Sequence, residues 1–442
     1  MTESSTYDVV GVGLGPFNLS LAALADPLDG LSARFLESKP EWSWHPGLLL
    51  DDAMLQVPFL ADLVTLADPT SEWSFLNYLR AHDRMYAFYF GERMHVLRRE
   101  YDDYCRWVSE RLPSCTFGAS VTSVRWDGAF EVEFVTADGT ERVRAKNVVL
   151  GVGTQPVLPE SFAPVVGRGV FHSGEYLHRQ AELAGAGDVT VVGSGQSGAE
   201  IFLDLLRQLP AGRQLRWLTQ APAFAPMEYS KLGLEHFTPA YTRYFRGLAE
   251  PVRDRLVPEQ WQLYKAISAE TIAAIYDLLY ERSVGGASSQ ATLLPNVSVV
   301  ASRRSGNGVE LRCHQPDQDE ELVVRTDAVV LATGYSARQP DFLDAGLLDL
   351  DDAGRYRVDA DYRVATAPHV TGALYVQNAE LHTHGVGTPD LGLGAHRAAV
   401  ILNAIAGTTR YRLPEQTAFT TFGVPSSTDQ LQEAARVAAR TR

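Results

Sequence analysis

Apolar residues along the chain gather into short runs that end at glycine, at YDVVGVG, NVVLGVG, DVTVVGSG and DAVVLATG, with ARFLE a further run. These predict buried strands. Between them lie stretches with helical spacing, such as GAEIFLDLLRQL. Strands alternating with helices predict an α/β protein whose parallel sheets are covered by helices. From Phe224 to Arg282 the pattern changes: aromatics and helix formers dominate (RYFRGLAEPVRDRL, SAETIAAIYDLLYER), no strand run occurs, and the segment reads as a small helical insertion. ERSVGGASSQ then reads as a loop before the RTDAVVLATGYS strand. Heptads, solenoid repeats and long low-complexity tracts are absent from the pattern.

Composition narrows the class. A chain of 442 residues has room for two or three domains. Its formal charge of −15 repels phosphate backbones and anionic lipid, so neither nucleic acid nor a membrane surface is an expected partner. MTESSTYDVVGVG lacks a basic n-region, and no run reaches the ~18 apolar residues of a membrane span, so a cytoplasmic location is expected. Cys105, Cys115 and Cys313 show neither metal-ligand nor CxxC spacing and read as reduced structural thiols, with no metal site.

The glycine turns carry the candidate chemistry. Gly11 and Gly13 stand at a strand-to-helix turn, where backbone without Cβ can approach a pyrophosphate and aim helix N–H groups at it. Gly15 and Pro16 end that loop, Pro16 replacing the third glycine of GxGxxG and suiting the first helical turn. Glu37 closes the next strand, placed to accept from a ribose hydroxyl. A second, complete fingerprint holds Gly193, Gly195 and Gly198, with Gln196 and Ser197 inside it. Two cradles about 180 residues apart suggest a resident flavin in one and, in the other, a nicotinamide that delivers hydride to it. VVLGVGTQPVLP around Gly151 and VVLATGY, with Thr333, Gly334 and Tyr335, fit the places where the chain crosses between the two nucleotide domains.

GVGLGPFNLSLAAL, FLESKPEWSWHPGLLL, LQVPFLADLVTLADPTSEWSFLNYL, VVGSGQSGAEIF, LATGY and NAELHTHGVGTPDLGLGAHR follow one another over nearly the whole chain. Together they resemble the N-hydroxylating flavin monooxygenases of siderophore biosynthesis, the lysine and ornithine N-monooxygenases and their diamine-using relatives. WHPG, QVPFLxDLV and THG are not general features of dinucleotide-binding folds. The resemblance implies two Rossmann-like domains and a small helical substrate domain: a split FAD domain (1–165 and 336–442), an NADPH domain (166–222 and 285–335) and a helical substrate-binding insertion (223–284). It also implies a homotetramer and a reaction. NADPH reduces FAD, the reduced flavin adds O₂ to give a C4a-hydroperoxide, and a neutral primary amine attacks its distal oxygen to become a hydroxylamine. The amine must be presented deprotonated although its solution pKa is like that of Lys, ~10.4.

By the same resemblance, Trp44, His45 and Gln56 lie beside the flavin ring and His384 of THG is flavin-proximal; these are the candidate catalytic residues. The plainer alternative for Trp44 and His45 is a loop pinned into the core, and His382 reads as structural. Where amino-acid hydroxylases of the family commonly carry a Lys that meets the substrate carboxylate, this chain has Ala61. Two further polar positions align with Leu234 and Gly392. A buried carboxylate without a cationic partner costs several kcal/mol, so the expected substrate is an aliphatic diamine, cadaverine or putrescine. Its far ammonium would need an acidic partner, with Glu380 and Asp390 the candidates and Glu228 and Glu235 behind them; the alternative for each is an exposed or capping carboxylate. L-lysine N6- or ornithine N5-hydroxylation remains the runner-up, favoured if a cation from the insertion replaces the missing one.

The family's 2′-phosphate arginine is replaced by Thr219-Gln220, with Arg213, Arg216 or Lys231 as substitutes, so NADPH is expected by resemblance. Leu263 aligns with a family Asn, and Lys265 has no assigned role. A flavin-dependent disulfide reductase or NADPH oxidase would share the cradles, the reductase needing a CxxC the chain lacks; a catalytically silent flavoprotein acting as a binding subunit is the other alternative.

Overall fold

The protein is described here from a computed structural model covering residues 6–424 apart from residue 287; the first five residues and those beyond 424, which include both ends of the expected FAD-domain range, lie outside the described residues.

The glycine-ended runs form the centres of two sheets. In the first, Tyr7–Val12 pairs in parallel with Ala33–Leu36 on one side and Gly139–Leu150 on the other, and Ala373–Val376 joins beyond Gly139–Leu150. The chain therefore leaves this sheet and returns to it late. Helices Pro16–Ala25 and Gly394–Ala406 pack together on the sheet, burying Leu19, Ala22, Ala398 and Ile401 completely. The second sheet has the order Val170–His172, Ala328–Leu331, Asp188–Val192, Gln214–Leu218 and Ala291–Leu294, all parallel. Helix Gln196–Arg207 covers it, with Phe202 stacked on Trp217 at 4.7 Å.

The expectation of parallel sheets missed two antiparallel additions. Ser120–Trp126 and Phe130–Thr136 form a meander with Gly139–Leu150, and Ser298–Ser305, Gly308–Gln315 and Glu320–Thr326 form a sheet of their own. These strands bury one face only: Phe130, Val132 and Phe134 point inward while Glu131 and Glu133 alternate with them. Tight turns at Gly128 (φ 67°) and Gly306 (φ 57°) close the hairpins.

No strand lies between Leu218 and Ala291 among the described residues, and helices Pro239–Arg246, Glu250–Glu259 and Ala269–Ser283 fill that interval. Thr238 and Ser268 cap the first and last of these through their side-chain oxygens. The insertion packs in two directions. Tyr241 and Phe245 meet Val386, which follows the last strand of the first sheet, while Ile267 and Ile275 enter the core of the second sheet. Thr154–Pro156 pairs with Tyr335–Ala337 where the chain crosses between the sheets, and Thr333 Oγ1 donates to the Val157 carbonyl at 2.5 Å. Cys105, Cys115 and Cys313 are free thiols. Among the described residues no helix is long and apolar enough to cross a membrane, and no cluster of metal-ligating residues occurs.

Candidate active site

The first cradle is shaped by backbone contact. Gly13 has φ +81°, and a Cβ there would stand 2.6 Å from the Gly151 carbonyl oxygen. Gly15 precedes helix Pro16–Ala25 with open space where its Cβ would be, so the first-turn N–H groups face an accessible hollow, and Pro16 has no N–H to leave unpaired. Glu37 lies at the mouth of this loop, accepting from Leu14 N at 2.8 Å and Lys39 N at 2.9 Å. These residues fit a dinucleotide pyrophosphate and ribose. Gly11 serves packing instead, since a Cβ would meet the Phe35 ring at 2.1 Å. Sequence reasoning missed Asn18, whose buried amide donates to the Gly13 carbonyl at 2.7 Å and accepts from Gln377 at 2.7 Å, locking the loop from beneath.

The second cradle is tighter. Gly193 has φ +111° with its Cβ position 2.1 Å from the Ala332 oxygen, and Gly198 would place a Cβ 2.3 Å from the Gly193 oxygen, so strand and helix touch there. Gly195 and Ser197 border the first turn of Gln196–Arg207, but the Gln196 side chain turns into the protein, onto Glu200 at 3.0 Å and Thr271 at 3.1 Å. Thr219 is buried, bonded to Ser194 Oγ at 2.7 Å. Arg213 donates to the Ala184 carbonyl and Arg216 pairs with Asp188 at 3.4 Å, so two of the three suggested substitutes for the missing 2′-phosphate arginine, Lys231 being the third, are engaged elsewhere.

Asp102 accepts from Trp42 Nε1 at 2.8 Å and Trp44 N at 3.2 Å, and Trp44 packs on Tyr101 and His45 at 5.4 and 5.0 Å. The turn puts His45 in the left-handed region (φ 49°), its ring edge-on to Tyr335 at 6.0 Å. Crowding by protein, reinforced by Arg98 and Lys39, pushes its pKa down to about 4; the ring is exposed, and water moderates the shift until a ligand displaces it. Gly334 has φ +81° and its carbonyl holds His172 Nε2 at 3.0 Å. Tyr229, between the second sheet's strands Gln214–Leu218 and Ala291–Leu294, donates to Gln56 Oε1 at 2.6 Å, a contact the sequence did not suggest.

His384 is placed differently from expectation. Its ring is buried, stacked on Tyr362 at 4.5 Å and bonded to Thr383 Oγ1 at 2.8 Å, with burial holding its pKa well below the usual range. Its Nε2 is buried without a hydrogen-bond partner among the described residues. His382 binds the Tyr356 carbonyl at 2.8 Å.

The substrate candidates separate into two groups. Ala61, Asp390 and Gly392 converge: the Cβ position of Gly392 lies 3.9 Å from Ala61 Cβ and 2.7 Å from Asp390 Oδ1, which also accepts from Gly392 N at 2.7 Å. Burial pushes the Asp390 carboxyl up to about 6, and water reaching its partly exposed edge moderates the shift. Neighbouring Asp62 pins the Ala61 loop by accepting from Val64, Thr65 and Phe75 amides. The others are engaged. Glu380 is fully buried 3.1 Å from Arg397, whose guanidinium lies over Phe17 and donates to the Thr388 carbonyl at 2.6 Å. Glu235 accepts from Phe419 and Thr420 amides, Glu228 from Ser230 N, and Leu234 is exposed on a short turn. The sequence showed these carboxylates but not their partners.

Residues 5–337 match the L-lysine 6-monooxygenase/L-ornithine 5-monooxygenase family profile. The chain belongs to this family. It is 42% identical to the putrescine N-hydroxylase of Shewanella oneidensis, over 95% of this chain and 85% of that one. Among solved structures, the FAD-bound cadaverine monooxygenase DfoA of Erwinia amylovora superposes with a TM-score of 0.92 at 40% identity, covering 96% of this chain and all of that one. Kutzneria sp. 744 ornithine N-hydroxylase KtzI, with reduced FAD, NADP+ and L-ornithine, gives 0.85 at 28% identity over 91% of this chain and 99% of its own. This chain is therefore a flavin-dependent N-hydroxylating monooxygenase that uses FAD and NADPH.

Proposed function

We propose that this protein N-hydroxylates one amine of an aliphatic diamine, putrescine or cadaverine, using FAD, NADPH and O₂, and so supplies a hydroxylamine for hydroxamate siderophore assembly. Reduced FAD, when bound, supplies the oxygen chemistry; the residues of the chain bind, orient and exclude water. The observation that carries the choice of substrate is the corner of Ala61, Gly392 and Asp390, which offers one carboxylate; Arg397, the cation that acts on Asp390 through space, is itself paired with Glu380 at 3.1 Å. A substrate carboxylate placed there would be desolvated beside a like charge, whereas an alkylammonium would be paired. Tyr229 and Gln56 form the second element of the reading: the tyrosine O–H holds the amide oxygen, and the amide NH₂ donates one hydrogen to the Met54 carbonyl at 3.4 Å, leaving the other for a ligand. The relatives that act on putrescine and cadaverine support the same assignment, and the resemblance adds a homotetramer and a cytoplasmic location.

The test is hydroxylamine formation coupled to NADPH oxidation across putrescine, cadaverine, ornithine and lysine. A diamine should have the highest kcat/KM. If lysine or ornithine exceeds both diamines, the reading of the Ala61 corner is wrong.

A further inference from the structure

Arg98 begins the flavin-domain helix Arg98–Ser109, yet its guanidinium crosses to the other domain. Nη1 and Nη2 donate to the two carboxylate oxygens of Glu200 at 3.0 and 2.8 Å, and Nη1 also donates to the Leu48 carbonyl at 2.7 Å. The side chains are 12% and 7% exposed. Glu200 lies one turn after Gln196 on the helix that begins the nucleotide cradle, and Gln196 donates to the same carboxylate at 3.0 Å. Gln196 is itself held from the substrate domain, by Thr271 Oγ1 at 3.1 Å and by Ser268 N, which donates to Gln196 Oε1 at 2.8 Å. A continuous chain of polar contacts thus joins all three domains at the first turn of the cradle helix.

The surrounding seam is dry and close. Leu48, Leu50 and Ala53, carried by the loop after WHPG, are buried in the core of the nucleotide domain beside Phe171 and Phe202. Gly47 lies so near the backbone at residue 174 that a Cβ would stand 2.0 Å from its carbonyl oxygen. Shape and burial already join the domains here. A buried ion pair adds little stability beyond an apolar pair of equal volume, because desolvating both charges offsets their attraction. What a forked guanidinium on a carboxylate adds is direction, since two parallel hydrogen bonds fix angle as well as distance.

The geometry points to Arg98 and Glu200 as a pair of positioning residues, a strut that sets the tilt of the nucleotide-cradle helix against the flavin domain and so aims the nicotinamide at the flavin. This rests on the assignment of the two cradles above but not on the choice of amine.

The test uses FAD-loaded protein without amine. In the double variant Arg98→Met/Glu200→Leu, which leaves no unpaired charge, amide hydrogen exchange should quicken in 46–53 and 196–207. The NADP+ Kd by calorimetry should rise about tenfold, a change of about 1.4 kcal/mol. Flavin reduction by NADPH should slow while reduction by dithionite matches wild type. Wild-type exchange and NADP+ affinity, with or without a lowered Tm, would overturn the strut and leave a staple of the fold. Should the double variant fail to hold FAD, Arg98→Lys carries the same measurements: it keeps the charge and gives up the fork, so a smaller shift in the same direction is expected and none would refute the proposal. Because no amine is present, these results are independent of whether a diamine proves to be the substrate.

Discussion

Asp390→Asn separates the charge of the proposed ammonium partner from its structural role. The asparagine Oδ1 can keep the 2.7 Å bond from Gly392 N, so the turn that faces Ala61 should persist. What disappears is a negative charge. At about 4 Å and an effective dielectric constant of ~20, the gross attraction between this carboxylate and an ammonium is about 4 kcal/mol. After desolvation, a hydrogen bond to a charged group contributes a net ~1.5–3 kcal/mol. At 1.4 kcal/mol per decade, that is a fall of about 10- to 140-fold in kcat/KM for putrescine or cadaverine. The assay is hydroxylamine formation at pH 8, above the Asp390 pKa of about 6, with an n-alkyl monoamine in parallel. The monoamine lacks the second ammonium and should change little between wild type and variant. Stability offers an independent check with an opposite sign. Burial raises this carboxyl from 3.8 to about 6, so the folded state holds its proton more tightly than the unfolded state, and ionisation costs stability as pH rises through that window. The neutral asparagine removes this cost, and the Tm at pH 8 should equal or exceed that of wild type. Equal losses for diamine and monoamine, or no loss for either, would refute the argument.

Tyr229→Phe removes one hydrogen bond to Gln56, worth a net ~0.5–1.5 kcal/mol, so hydroxylamine formed per NADPH should drop about 2- to 10-fold as hydrogen peroxide rises, with the NADP+ Kd unchanged; unaltered coupling would show that the contact is idle. Gly13→Ala forces a side chain into a left-handed turn against the Gly151 carbonyl, and with strain of roughly 1–3 kcal/mol the FAD content of purified protein should fall sharply, a loss readable from its visible absorbance. His45 should take its proton below the ordinary histidine range, and the downward shift read by ¹⁵N NMR should be larger in FAD-loaded than in flavin-free protein. Because its folded pKa lies below its unfolded value, its share of stability is present near neutrality and is lost as pH falls from about 6.5 toward 4, the sign to look for when His45→Gln is compared with wild type in acid melts.

Both cradles were legible along the chain, because a glycine that must approach a neighbouring backbone leaves a mark at its own position. Gly13, Gly193 and Gly198 each abut a carbonyl oxygen. The substrate corner was half legible: Ala61 and Gly392 were read as missing contacts, and they proved to adjoin each other, with Asp390 against Gly392. The partners of the other carboxylates were not. Glu380 and Glu235 look like free acids in sequence, but Arg397 and the amides of Phe419 and Thr420 reach them from remote segments. His384 of the THG motif is expected near the flavin, and only the packing of Tyr362 against it shows that the ring is buried. Local pattern thus determined the glycine-ended parallel strands, their turns and the class of cofactor, since backbone approach and hydrophobic period are properties of neighbouring residues. Which charges are paired, which ring is buried and how Arg98 meets Glu200 were decided by the tertiary fold, because the energy of a buried polar group depends on partners that chain separation does not encode.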